Sequence, residues 1–183
     1  MEQITKEELL DVIGKFELGD NTEVVSVEPY GSGHINDTFR LEVKEDGQEK
    51  LYILQRMNKD IFKNQKELME NILQVTSFLT DKIKAQGGDP NRETLQVIPT
   101  KEGKSYLIEA NGDGWRVYPF ITDSLSFDKA DTPEAMKKSG YAFGNFQYLL
   151  SDFPAEKLHE TIPDFHNTVD RYAKFEQAVQ EDV

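Results

Sequence analysis

The sequence predicts an α+β fold: an antiparallel sheet packed by one long helix and followed by further helices. Three observations predict it. Short runs rich in β-branched and aromatic residues, alternating in polarity and parted by glycine-bearing turns, fill residues 21–57 and return over 94–121. Between them lies one long stretch with helical spacing of apolar residues. Beyond residue 131 the alternation stops and helical periodicity takes over.

Near the start, Thr5 and Glu8 stand at capping-box spacing, and Leu9, Leu10, Ile13 and Phe16 then recur as one face of a short helix. "NTEVVSVEPY", "DTFRLEVK" and "KLYILQRM", joined by "GSGHIN" and "EDGQ", read as a three-stranded antiparallel meander. Asn64 and Glu67 mark the start of the long helix, Leu68, Ile72, Val75, Leu79 and Ile83 form its face, and "QGGDP" stops it. Glu67 is expected to be taken up by that helix start. Three more strands are expected at "TLQVIPT", "KSYLIEA" and "WRVYPFI". Residues 122–132 read as a linker. Thr132 and Pro133 then cap a helix running to about Leu150, and a last helix from about Thr168 carries Tyr172, Phe175 and Val179 on one face.

Composition narrows the function. The chain of 183 residues has no cysteine, which removes disulfides, thiolate nucleophiles and cysteine zinc sites together. Its three histidines are far apart, so no histidine metal cluster is expected. A net charge of -13 argues against nucleic acid and anionic lipid as partners, while leaving room for one local cationic pocket. No apolar run approaches the roughly 20 residues that span a bilayer. The start "MEQITKEELL" lacks a signal core, and the cytoplasm is the expected compartment.

In "GSGHIN", Gly31 and Gly33 form the G-x-G part of a phosphate loop, with Asn36 where a third glycine would stand. Glycines there let backbone N–H groups approach an anion; an ordinary hairpin turn explains the same two glycines. The ordered set "YGSGHINDTFR", "YILQRMN", "IFKNQKELMENI", "WRVYPFI" and "IPDFHNT" resembles the aminoglycoside phosphotransferase and choline kinase-like superfamily, closest to its N-acetylhexosamine 1-kinase branch. The resemblance implies a protein-kinase-like N-terminal lobe over residues 1–121. Residues 122–183 would be a linker and the first helices of a helical C-terminal lobe. The implied activity is ATP-dependent phosphoryl transfer to a sugar or amino sugar, with Mg2+.

On that resemblance the loop of Gly31, Ser32, Gly33, His34 and Asn36 covers the ATP phosphates, and the third strand supplies a cation. The strand offers no lysine at that place but Gln55 and Arg56, which point to opposite faces. Arg56 has the charge and reach and is favoured. The alternative is a hydrogen-bonding Gln55 with Arg56 on the outer face. Glu70 on the long helix is the expected partner of the cation. Groups around Tyr118, Phe120 and Ile121 would hold adenine, Pro119 lacking a donor. His34, with Asp164 and His166 of "IPDFHNT", are the candidate sugar contacts; a capping or turn role is the plainer reading of the last two.

The superfamily's H-x-D-x-x-x-x-N-type loop and later metal-binding aspartate are absent from the sequence. No catalytic residue or metal ligand is therefore assigned to this chain, which is expected to be the N-terminal part of a kinase and inactive alone. Its last two helices are expected to expose apolar surface that invites self-association. The rival expectation is a noncatalytic nucleotide-binding or interaction module with the same lobe.

Overall fold

A computed structural model of the protein describes residues 4–125, 127 and 129–182. Ser126 and Asp128 of the expected linker, and the two chain ends, lie outside the described residues. The described residues form an α+β fold around a five-stranded, wholly antiparallel sheet. Its strands are β1 (Thr22–Pro29), β2 (Asp37–Glu45), β3 (Gln48–Met57), β4 (Leu107–Ile108) and β5 (Gly114–Pro119), in the order β1-β2-β3-β5-β4. The helices are α1 (Lys6–Ile13), α2 (Gln65–Ala85), the single turn α3 (Pro90–Glu93), α4 (Pro133–Leu149) and α5 (Thr168–Glu181).

The meander forms as its turns dictate. Glu45 pairs with Gln48, so Asp46 and Gly47 alone make the β2–β3 turn, both with positive φ (48° and 84°), as a two-residue type I′ hairpin requires. On β1 the register slips between Val24 and Ser26. This bulge lets Val24 and Val27, three apart, both pack on the core, while Val25 is left 54% exposed.

One sheet face is apolar. Phe39, Leu41, Val43, Tyr52, Leu54, Trp115 and Val117 are buried there beneath Leu9, Val12, Ile13 and Phe16. Helix α1 is held by a complete capping box: Thr5 Oγ1 accepts from Glu8 N at 3.2 Å, and Thr5 N donates to Glu8 Oε2 at 2.7 Å. Each large apolar side chain buried this way contributes about 1.5–3 kcal/mol.

The opposite face carries Thr38, Arg40, Ile53, Gln55, Arg116 and Tyr118, all half-buried. Helix α2 approaches this face near its N-terminus. Met69 is fully buried with its sulfur 3.8 Å from Arg116 Nη1, and Gln65 fills the space beside Gly114. Further along, Val75, Leu79 and Ile83 pack against Leu149 and Leu150 at the end of α4.

Two of the expected strands are corrected. Residues 94–100 form no strand; they contribute single bridges, Ile98 to Val117 and Thr100 to Phe16. Pro99 cannot donate to a ladder, and the chain turns at once through Thr100 and Gly103. The "KSYLIEA" run keeps a ladder of two residues before the turn closed by Glu109 N to Asp113 O at 2.9 Å.

Candidate functional site

The loop between β1 and β2 is exposed from Gly31 to Ile35, and Gly31 has φ +81°, a conformation that favours glycine. A Cβ added at Gly31 or Gly33 would meet nothing within 4 Å, so both glycines border open space. Ser32 and His34 stand at the exposed tip. The base of the loop is fixed: Asn36 Oδ1 accepts from Asn58 N at 2.9 Å, and Asn58 Nδ2 returns a bond to Ile35 O at 3.0 Å. Tyr30, at the loop's root, meets Phe120 edge-on with ring centroids 5.4 Å apart. The loop is thus tied to the ends of both β3 and β5.

Gln55 and Arg56 take opposite faces, as a strand requires. Arg56 lies on the α1 side, over the Trp115 ring at 5.9 Å. Its Nε and Nη2 reach Asp37 Oδ2 at 2.8 and 2.7 Å, and its Nη1 reaches Asp113 Oδ2 at 3.1 Å. Asp113 also binds Lys59 at 2.7 Å. Burial by itself raises the Asp113 carboxyl, but Lys59 and Arg56 together hold it below the ordinary aspartate range. Arg56 also borders a cavity of about 430 Å³ with Gly31, Gly33 and Phe39, on the α1 side of the loop.

The expected Arg56–Glu70 pair does not form. Glu70 Oε2 lies 2.9 Å from His159 Nε2, and its Oε1 lies 3.6 Å from Lys66. The cap of α2 is one-sided: Asn64 Oδ1 accepts from Glu67 N at 3.2 Å, while the Glu67 carboxylate turns to His159 Nδ1 at 4.0 Å. Glu67 is therefore not consumed by the helix start as expected.

On the other face Gln55 is the centre of a polar cluster. Its Oε1 accepts from Arg116 Nε at 3.1 Å and Nη2 at 2.6 Å, from Tyr118 Oη at 2.9 Å, and from Asn36 Nδ2 at 3.5 Å. Its Nε2 donates to Thr38 Oγ1 at 2.8 Å. The amide orientation follows from chemistry, since an NH2 turned toward Arg116 would set donor against donor. The structure thus brings together Asn36, Gln55 and Tyr118 from the sequence-derived set. It adds Arg116 and Thr38, which sequence reasoning missed. The signal was available: alternation in "WRVYPFI" puts Arg116 and Tyr118 on the face opposite Trp115 and Val117.

No protein-family model matches the sequence. Among the described residues no helix is long and apolar enough to cross a membrane. Nor do three or more described acidic or histidine side chains form a group able to hold a metal ion.

The remaining candidates separate from this cluster. Phe120 N donates to Leu51 O at 2.9 Å, closing the sheet, and Ile121 follows it half exposed. Asp164 and His166 share a turn before α5. Asp164 Oδ1 accepts from Asn167 Nδ2 at 3.0 Å, and Asn167 caps the helix through Asp170 N at 3.1 Å. His166 packs edge-on against Phe165 at 4.6 Å. Among the described residues no hydrogen bond or ion pair joins His34 to either. A cavity of about 760 Å³ lies elsewhere, between α2 and residues 100–108.

Proposed function

We propose that this chain forms the nucleotide-binding part of an ATP-dependent small-molecule phosphotransferase, with residues 1–121 as a kinase-like N-terminal lobe. The acceptor is a sugar hydroxyl, of the N-acetylhexosamine type. One observation carries the reading. A glycine loop with open space around both glycines is anchored through Asn36 to a polar sheet face and through Tyr30 to Phe120, which joins the two segments that this reading assigns to phosphate and adenine. Backbone N–H groups of such a loop bind phosphate oxygens without needing side chains. Catalysis in phosphoryl transfer is mostly positioning and charge stabilisation, and this half supplies the nucleotide side of both. No base or metal ligand is assigned among its residues.

A second reading has its own support. Arg56 is engaged by two carboxylates, and β3 carries Gln55 and Arg56 rather than a lysine at the place expected for the phosphate cation, which suits a module that binds nucleotide without chemistry. Calorimetry with Mg-ATP, followed by a phosphorylation assay over an N-acetylhexosamine panel on the longest natural form, separates the two. Binding with turnover is the expected result, the 183-residue chain alone binding without turnover. Binding without turnover in the longest form favours the module, and absence of ATP binding overturns both.

A further inference from the structure

The Gln55 cluster has more donors than acceptors. An amide oxygen offers two lone pairs, yet four donor atoms converge on Gln55 Oε1. Arg116 is the source of the excess. A guanidinium carries five N–H groups; Arg116 directs two to Gln55 and one to the weakly accepting sulfur of Met69, which leaves two without a protein acceptor among the described residues. No described carboxylate lies within 4.0 Å of it to neutralise its charge, and Tyr118 stacks beneath the guanidinium at 5.7 Å. Arg56, by contrast, is held by Asp37 and Asp113. A half-buried cation supported only by neutral groups, in a chain of net charge -13, is electrostatically incomplete.

We infer that Arg116, clamped by Gln55 and Tyr118, is the cation of an oxyanion site on the α2 side of the sheet, and that the ligand is a phosphate group. The fork geometry suits two phosphate oxygens, and charge-assisted bonds of this kind are about twice as strong as neutral ones. Asn36, reaching Gln55 from the base of the glycine loop, sets the site beneath that loop. Assigning the phosphate to a nucleotide rests on the proposed function; the oxyanion site does not. Gln55 is then a positioning residue, fixing the guanidinium plane before the ligand arrives.

The test titrates the protein with sodium tripolyphosphate, Mg-ATP and adenosine by calorimetry. Variants are Arg116→Met, Arg116→Lys, and Lys101→Met as a control that removes a positive charge elsewhere. Wild type is expected to bind tripolyphosphate and ATP, and Arg116→Met to lose about tenfold or more on both, equivalent to about 1.4 kcal/mol. Adenosine binding and the Lys101→Met variant are expected to be unchanged, with Arg116→Lys intermediate because it keeps charge but not the fork. Should Arg116→Met fail to fold, the Nε–H resonance of Arg116 in the wild-type protein, identified by its loss in Arg116→Lys, is expected to shift with tripolyphosphate. Tripolyphosphate binding that is indifferent to Arg116, or an unmoved resonance, overturns the inference. The failures are distinguishable: ATP bound equally by wild type and Arg116→Met sinks the Arg116 site and leaves the nucleotide reading. Arg116-dependent tripolyphosphate binding with no affinity for ATP does the reverse.

Discussion

His159 Nε2 sits 2.9 Å from Glu70 Oε2, so the carboxylate expected to serve a strand cation instead holds down a segment 89 residues further along the chain. The contact is one of several. Asn71 donates to His159 O at 2.8 Å and accepts from His159 N at 2.9 Å, pinning the backbone on both sides. Replacing Asn71 with alanine removes both backbone bonds and is expected to loosen this segment by on the order of 1–2 kcal/mol. Native-state hydrogen exchange is the measure: amides of residues 155–162 should exchange faster while those of β2 and β3 keep their protection. Equal acceleration everywhere would mean that the strap is part of the global cooperative unit.

The Arg56–Asp113 pair predicts an acid dependence with a definite sign. The Asp113 carboxyl is held below its ordinary value of 3.8, so its contribution to stability is fully present above that value and drains away as pH falls through the lower folded-state value. Asp113→Asn removes one carboxylate from Arg56 in a pair whose two side chains are each 12% exposed, and is expected to cost about 2–3 kcal/mol at pH 7. Urea unfolding at a series of pH values tests this. The difference between wild type and variant should narrow below pH 3.8; a constant difference would exclude Asp113 as its source.

What was legible in the sequence was local, and what was not depended on distant registers. Thr5 with Glu8, Asn64 with the N–H of Glu67, Thr132 with the N–H of Ala135, and the Asp46-Gly47 turn are decided within four residues, and each forms. The coarse α+β class and the meander follow from them. "TLQVIPT" has strand composition, but a ladder needs a neighbour in register, and Pro99 and the turn after it deny one. Period-2 alternation separated Gln55 from Arg56 without saying which face α2 would cover. That choice rests on the β3–β5 register that sets Gln55 against Arg116, 61 residues away.

Gly114→Ala is expected to be one of the most damaging single changes outside the apolar core. A Cβ there would stand 1.5 Å from Gln65 Oε1 and 2.8 Å from Met57 Cε, and both side chains are buried with little room to retreat. Gln65 Oε1 already lacks a hydrogen-bond partner, and its Nε2 reaches Gly112 O at 3.3 Å, a bond that displacement would break. Overpacking of this kind costs typically about 1–3 kcal/mol. Thermal unfolding should show the loss, and the double variant Gly114→Ala with Gln65→Ala should recover part of it. No recovery would place the strain in the backbone instead.

Phe127 apart, the most exposed aromatic side chains of the described residues lie on the last two helices, and their behaviour in solution follows from that. Phe143 on α4 is 69% exposed and Phe175 on α5 is 62% exposed, with Tyr141, Tyr148 and Tyr172 also outward. No residue of α5 is buried, so its apolar stripe of Tyr172, Phe175 and Val179 contributes little to the monomer and stays available to another surface. Sedimentation velocity is expected to show association that grows with concentration. Phe143→Ser combined with Phe175→Ser should weaken it while leaving unfolding free energy within about 0.5 kcal/mol, since neither ring fills a core position. An unchanged sedimentation profile with a large loss of stability would show that these rings serve the fold rather than association.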